Sequence, residues 1–424
     1  MIEEEVQQDL VQERISKIER QCREFIDRIW NTDYTYDVPS VPLDQGISLE
    51  LLRKVKMDEL YEYFKILLNT YNSTERFSKI RISLYAWLSS ERIFTPNPVE
   101  PFFPYRQGYT NDDYVLEYKL LNAGYSREDT RSIMNSLGNK LMEISQFMID
   151  AKDYTSGLRW NIKLTEQSDQ KDQKNSLYYI TVLPNNRDFP DNRDTRRFLE
   201  DHSIRSTRVS IRKKYYNKLI SMFRGRSDIL KHIFILLKRY QTLGAYNFQS
   251  SVNPEIFRYI KRNMGVTHEI FASPLNTTLQ SYGSEFIDVT RIFGSTGTFM
   301  NLRKIFPKGG SFQANPPFFE DIMYLFTIFI IKWMEETNHP LSFIIFTPGW
   351  DDTPAITTMM NSPYLRGYKR LDKECHRYVI GDAYYKDINR ISFCDSYILL
   401  MQNESGREKW YSENILDEIA ERFW

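Results

Sequence analysis

The sequence predicts an α/β protein: a Rossmann-like domain with a mostly parallel sheet and helices on both faces, preceded by a mainly helical N-terminal region. Three observations carry this. Residues 1–155 show helical apolar spacing with little sign of strands. Residues 156–228 hold two strand-like runs and a basic stretch. From 229 onward short apolar strand runs alternate with helices, the pattern of a parallel sheet. These boundaries give three regions: 1–155 helical, 156–228 a hairpin with a basic segment, and 229–424 the Rossmann-like domain.

The chain has 424 residues, enough for more than one core, and its 41% apolar and 26% charged shares are ordinary for a globular protein. Net charge is zero, so any attraction to a polyanion has to be local. Cys22, Cys375 and Cys394 are far apart and form no Cys-x-x-Cys or Cys/His cluster, so neither a metal site nor a disulfide framework is expected and an intracellular setting is. The N-terminus lacks a basic-then-apolar leader pattern, and the most apolar run, 324–331, is too short to span a bilayer. No membrane association is expected, and the sequence is silent on oligomeric state.

Val6, Leu10, Ile18, Cys22, Phe25 and Ile29 recur at helical spacing and predict an amphipathic helix over 2–30. Residues 31–46 read as a connector, with Ser48 capping a helix that runs through Leu68. Another helix is predicted at about 74–90, then a Pro- and aromatic-rich loop over 95–112. Ser126 and Asp129 form a capping box for a helix over about 127–152. Runs 158–164 and 177–183, joined by the polar loop 166–176, predict a hairpin. Residues 184–204 are polar and irregular.

The segment Arg205–Arg226 contains eight Lys or Arg and no acid, with Tyr215, Tyr216 and Phe223 interleaved. Basic side chains displace counterions from phosphates and aromatics stack on bases. Arg205, Arg208, Arg212, Lys213 and Lys214 are therefore candidate RNA contacts. A solvated helix face is the plainer alternative.

Helices are predicted at 229–243, 254–263 and 319–337, and strands at 268–273, 285–289, 311–314, 341–347 and 396–402. Ligands of such sheets bind at the carboxyl ends of the strands. Asn315-Pro316-Pro317-Phe318 falls at such an end. Its composition suits one chemistry. An exocyclic adenine amine is a poor nucleophile, because its lone pair is delocalised into the ring. Acceptors on its two N–H bonds draw it toward tetrahedral geometry, and the Asn315 side-chain oxygen and Pro316 carbonyl can be those acceptors. Diproline stiffens the loop and removes competing donors, and Phe318 can stack on the base. In-line attack on a sulfonium methyl then needs positioning and electrostatics, with no nucleophilic side chain.

Four motifs occur in order: Phe-Ala-Ser-Pro-Leu-Asn at 271–276, Phe-Gly-Ser-Thr-Gly at 293–297, Ser-Phe-Gln-Ala-Asn-Pro-Pro-Phe at 311–318, and Pro-Leu-Ser-Phe-Ile-Ile-Phe-Thr-Pro-Gly-Trp at 340–350. Together they resemble the phosphorylated-CTD-interacting-factor family of cap-specific adenosine N6-methyltransferases, over about 230–403. The resemblance implies a class I methyltransferase domain, S-adenosylmethionine as cofactor, and the capped 5′ end of mRNA as partner. It implies that Asn315, Pro316, Pro317 and Phe318 form the catalytic loop, and that Phe271, Ala272, Ser273, Pro274, Leu275, Asn276 and the turn at Gly294 lie against the cofactor. Asp288, expected to end the second strand of this region, is a candidate for the ribose hydroxyls by analogy with other nucleotide-binding α/β folds. Trp350, His376 and Tyr378 are candidates to line the base or cap pocket.

The chain departs from the family pattern at Gly349, where an acidic residue is usual, at Phe319, where cellular relatives carry Cys, and at Thr296, which replaces an Arg. No WW module is visible, since Trp30 and Trp87 are too far apart for one, which points to a compact, divergent form such as a large DNA virus would carry. Two other readings remain open at this point: a cap ribose 2′-O-methyltransferase, and a methyltransferase fold kept only as an RNA-binding scaffold.

Overall fold

The structure is a computed structural model. It describes residues 2–32, 38, 41–71, 77–95, 98–104, 114–167, 176–185, 200–201, 206–244, 250–380 and 388–423. The expected loops at 166–176 and 184–204 and much of that at 95–112 lie outside the described residues.

The chain forms two compact units, one from residues 1–37 and 246–424, the other from 38–245. This division differs from the three regions read along the sequence, for two reasons. Helix α1 (Ile2–Trp30) packs in the first unit, where Trp30 Nε1 donates to the Glu336 carboxylate at 2.7 Å and Arg14 pairs with Glu320 at 3.3 Å. The helix at 229–243 belongs to the second unit.

In that second unit, α2 (Leu43–Thr70), α3 (Phe77–Phe94), α4 (Tyr114–Asn122) and α5 (Arg127–Thr155) form the helical part. Ser126 Oγ accepts from Asp129 N at 3.0 Å, the cap expected at the start of α5. Ser48 does not cap. Helix α2 already begins after Pro42, and buried Ser48 instead accepts the Trp160 indole N–H at 2.8 Å. The expected hairpin forms: β1 (Trp160–Gln167), β2 (Leu177–Pro184) and β3 (Thr207–Arg212) make an antiparallel sheet in that order. Then follow α6 (Lys213–Met222) and α7 (Ile229–Leu243), which packs on α2. Buried Arg239 of α7 donates to Glu50 of α2, and Arg53 bridges Glu50 and Glu100, so every buried charge of this cluster has a partner.

The first unit contains the expected sheet. Its strands are β5 (His268–Glu269), β6 (Ser281–Tyr282), β7 (Gly310–Ala314), β8 (Leu341–Pro348), β9 (Leu365–Leu371) and β12 (Ser396–Gln402), in the spatial order β6-β5-β7-β8-β12-β9. The pairs β6–β5, β5–β7 and β7–β8 are parallel; β12 runs antiparallel between β8 and β9. A parallel bridge from Tyr282 to Ser295 extends the β6 edge by one more position.

Both faces are covered. Along β8 the period-two alternation sends Phe343 to one side and Ile344 and Phe346 to the other. Phe343 meets Trp333 and Phe326 of the apolar helix Glu320–Glu336, while Ile344 and Phe346 join Ile398, Leu400 and the helices Pro254–Met264 and Ile415–Ala420. Apolar residues on both faces are why β8 and β12 read as unbroken hydrophobic runs. The strand expected over 285–289 is not formed. The second strand ends at Tyr282, and Ile287–Thr290 is a short helix.

A smaller sheet in the same unit has the order β11-β10-β4, from β4 (Ser250–Ser251), β10 (Arg377–Ile380) and β11 (Ile388–Ile391). No helix among the described residues is long and apolar enough to cross a membrane.

Candidate functional site

The carboxyl ends of β5, β6, β7 and β8 lie along one edge of the large sheet, and the start of β12 reaches the same edge because Ser396 pairs with Pro348. Asn315, Pro316, Pro317 and Phe318 follow β7 directly. Pro316 is buried, and the other three are half-buried. Phe319 N donates to the Pro317 carbonyl at 2.7 Å and Met323 N to the Phe319 carbonyl at 2.9 Å, which ties the loop to the following helix. Phe319, the position at which the chain departs from the family pattern, is buried at the start of that helix.

The orientation of Asn315 is set by the smaller sheet. Its Nδ2 donates to the Ser250 carbonyl on β4 at 3.1 Å. That bond leaves Oδ1 as the acceptor end, and Oδ1 is buried with no hydrogen-bond partner among the described residues. An unsatisfied buried acceptor costs about 1–3 kcal/mol, so its retention at a strand end points to a donor that arrives with a ligand.

Next to this loop stands an aromatic group. Phe318 meets Trp350 edge-on at 6.0 Å between centroids, and Phe393 at 6.4 Å. Trp350 follows β8; its carbonyl is held by Thr353 Oγ1 at 2.8 Å. Sequence reasoning missed Phe393. It sits in Ser-Phe-Cys-Asp, which resembles an ordinary turn, and only the fold carries it to Phe318.

The turns bearing Trp350 and Phe393 are braced together. Gly349 N donates to the Asp395 carbonyl at 2.7 Å, and the Asp395 carboxylate accepts from Lys373 N and Arg370 Nη2, both at 2.7 Å. Arg370 also donates to Asp351 at 2.9 Å, and the Tyr397 hydroxyl donates to Asp351 at 2.6 Å. Bonds from Tyr397 and then Arg370 hold the Asp351 carboxyl below its usual range. Gly349 has a steric explanation: a Cβ there would stand 2.8 Å from the Asp395 Cβ.

The ends of β5 and β6 and the 293–297 turn form a second constellation. Gly283 N donates to the Glu269 carbonyl at 2.7 Å, Ala272 N to the Gly283 carbonyl at 2.9 Å, and Ser284 N to the Gly297 carbonyl at 2.8 Å. A Cβ on Gly283 would meet the Ile270 and Gly297 carbonyls at 2.4 and 2.8 Å, so only glycine fits. Ser284 Oγ lies 2.6 Å from Thr290 Oγ1 and 2.7 Å from Ser295 Oγ, and Gly294 and Gly297 adopt positive φ. Buried Glu269 accepts from Thr277 Oγ1 at 2.8 Å and Thr278 N at 2.5 Å, and also from Leu279 N.

Of the expected cofactor-side residues, Ala272 and Gly294 lie in this lacing. Ser273 and Asn276 bond each other, Asn276 Oδ1 accepting from Ser273 N at 2.7 Å, and so shape the turn. Pro274 and Leu275 are buried. Phe271 packs against Phe299 and Phe326. Asp288 is half-buried on the short helix rather than at a strand end. The acid just beyond β6 is Glu285, which sequence reasoning passed over because it placed the strand four residues too late.

His376 and Tyr378 are packed inside the fold. His376 is fully buried, with Nδ1 2.9 Å from the Asp372 carbonyl and Nε2 2.8 Å from Ser396 Oγ; burial pushes its pKa down. Tyr378 is buried and donates to Ser396 Oγ at 3.0 Å. Both rings pack on Phe423, so neither presents a face to a ligand. In the other unit, Arg208 is exposed with its guanidinium 4.5 Å from the Tyr179 ring. Lys213 pairs with Glu166 at 3.1 Å, Lys214 lies over Tyr215, and Arg212 is half-buried. Arg205 falls outside the described residues.

A sheet with five strands of one sense, a reversed strand at the fifth of its six positions, helices on both faces and loops gathered at the carboxyl edge is the architecture of a class I methyltransferase domain. Comparison with known proteins carries this further. Residues 211–381 match the protein-family model described as "Phosphorylated CTD interacting factor 1 WW domain". The chain is 32% identical over 220 residues to a Homo sapiens protein named "mRNA (2'-O-methyladenosine-N(6)-)-methyltransferase", and 33% identical over 220 residues to the Mus musculus protein of that name. In each case the match covers 48% of this chain and 31% of the relative, so the chain matches about a third of these relatives. The family resemblance read from the four motifs is borne out over this part of the chain.

Proposed function

We propose that this protein transfers a methyl group from S-adenosylmethionine to the N6 amine of an adenine, at the cap-proximal adenosine of an mRNA. The observation that carries the reading is Asn315. Its amide is turned by Ser250 so that Oδ1, buried and with no partner among the described residues, is left as an acceptor. The names of the two relatives supply the substrate class.

The cofactor side of the reading is supported by the close-packed glycine at the ends of β5 and β6 and by the half-buried acid Glu285 just beyond β6, which we take for the ribose hydroxyls in preference to Asp288. When bound, S-adenosylmethionine supplies the electrophilic methyl. Asn315 Oδ1 and the Pro316 carbonyl accept the two N–H bonds of the amine and raise its nucleophilicity. Pro317 is unavailable for this, because its carbonyl already accepts from Phe319. Phe318 holds the base by stacking, with Trp350 set edge-on beside it, and positioning provides most of the acceleration. Arg208, Arg212, Lys213 and Lys214 contribute phosphate contacts.

The test is transfer of labelled methyl to short capped RNAs that begin with A, with 2′-O-methyl-A or with G. The reading expects transfer to the A-initiated RNAs and none to the G-initiated one. Equal transfer to all three contradicts it.

A further inference from the structure

Phe393 has the greatest fractional exposure, 72%, of the large exposed apolar side chains among the described residues. Exposing a Phe forgoes burial worth about 1.5–3 kcal/mol, yet the turn that carries it is firmly built. Ser392 N donates to the His376 carbonyl at 3.0 Å, and Ser392 Oγ to the Cys394 carbonyl at 2.7 Å. Asp395 is fixed by Arg370, Lys373 N and Gly349 N. The turn that carries the exposed ring is therefore fixed, and the ring lies 6.4 Å from Phe318, inclined to it by 55°. Two rings at that separation and tilt are too close to admit a base between them. They instead offer two successive aromatic faces beside the Asn-Pro-Pro-Phe loop, each able to take its own base.

We propose that Phe393 is a substrate-positioning residue, whose ring stacks on the nucleobase adjoining the target adenine of a single-stranded RNA 5′ end. The proposal rests on the functional reading above, which places the target base on Phe318. The Asp395–Arg370–Asp351 brace couples the Phe393 turn to the Trp350 turn, so the outer and inner parts of the stacking surface keep one geometry. Stacking is tolerant of base identity, so Phe393 sets how firmly the neighbour is held rather than which base it is.

The test uses the full chain and its Phe393→Ala and Phe393→Trp variants. Binding of a fluorescein-labelled capped pentanucleotide is measured by anisotropy, and methyl transfer is measured on the same RNA. Loss of one stacked base weakens binding by roughly tenfold. Phe393→Ala is expected to raise Kd and KM by that factor with kcat within about twofold and unchanged affinity for S-adenosylmethionine, and Phe393→Trp is expected to restore both. An unchanged Kd and KM in Phe393→Ala, or a fall in kcat alone, overturns the proposal. So does a shift with 2′-O-methyladenosine monophosphate as large as that with the pentanucleotide, since such a probe has no adjoining base. If the wild-type chain binds RNA but transfers no methyl, the functional reading fails while the anisotropy comparison still decides the role of Phe393.

Discussion

The side-chain amide of Asn315, at the end of β7, donates to the backbone carbonyl of Ser250 on a different sheet at 3.1 Å. One bond thus decides which end of the Asn315 amide faces the recess. It also makes the short strand β4 part of the site, although nothing about two serines in the sequence marks them as such.

Replacing Asn315 by Ala removes an acceptor that the reaction needs most as charge builds on the amine. The expected loss in kcat is roughly 100–1,000-fold, the range seen when one such group is deleted from a preorganised site. Binding of S-adenosylmethionine, followed by calorimetry, is expected to stay within about threefold. Asn315→Asp keeps an acceptor oxygen but replaces the donating Nδ2 with a second oxygen that faces the Ser250 carbonyl, so it is expected to recover little activity.

At the cofactor end, Glu285→Ala is expected to weaken S-adenosylmethionine binding by roughly tenfold or more, the value of a hydrogen bond to a charged group. Asp288→Ala is expected to have the smaller effect, because Asp288 sits on the helix beyond the strand end. The reverse ranking in a calorimetric titration contradicts the placement.

Gly349→Ala tests the brace between the two aromatic turns. The new Cβ would meet Asp395 main-chain and Cβ atoms at 2.8–3.3 Å, none of which is the end of a flexible chain. A loss of about 1–3 kcal/mol is expected, read from chemical denaturation with the denaturant slope unchanged. A variant as stable as the parent shows that the Asp395 turn yields freely.

His268 gives a pH dependence with a definite sign. It is buried beneath the β5–β7 pairing, with Nδ1 2.8 Å from Ser281 Oγ, and burial pushes its pKa from 6.5 down to about 3. The unfolded chain therefore takes up a proton below pH 6.5 that the folded chain refuses until about pH 3. The stability conferred by neutral His268 is complete above pH 6.5 and is lost as pH falls through that window. In thermal melts at pH 7 and pH 5, His268→Phe is expected to lose less on acidification than the parent. An equal loss removes His268 as a contributor.

What could be read from the sequence followed from burial on both faces. Strand β12 falls at its expected position because it is a short, unbroken apolar run of strand length, and helix α7 because it is a long apolar pattern at helical spacing. The place of the Asn315–Phe318 loop directly after β7 was legible because a short apolar run leads straight into two prolines. The strand expected over 285–289 failed because Ile287 and Val289 alternate as a strand would, whereas the chain there bends through hydroxyl contacts from Ser284 to Thr290 and Ser295 that pattern does not encode. His376 and Tyr378 looked like pocket residues by type, and their burial on Phe423 depends on the C-terminal segment folding back. Phe393 was invisible for the opposite reason: its importance lies wholly in what the fold sets beside it.

The central claim concerns which atom receives the methyl. The direct measurement is to incubate the protein with S-adenosylmethionine and a capped RNA beginning with 2′-O-methyladenosine, digest the product to nucleosides, and locate the added methyl by mass spectrometry. The account predicts N6,2′-O-dimethyladenosine. With an RNA beginning with unmodified adenosine, a methyl found on the ribose rather than on N6 would contradict it.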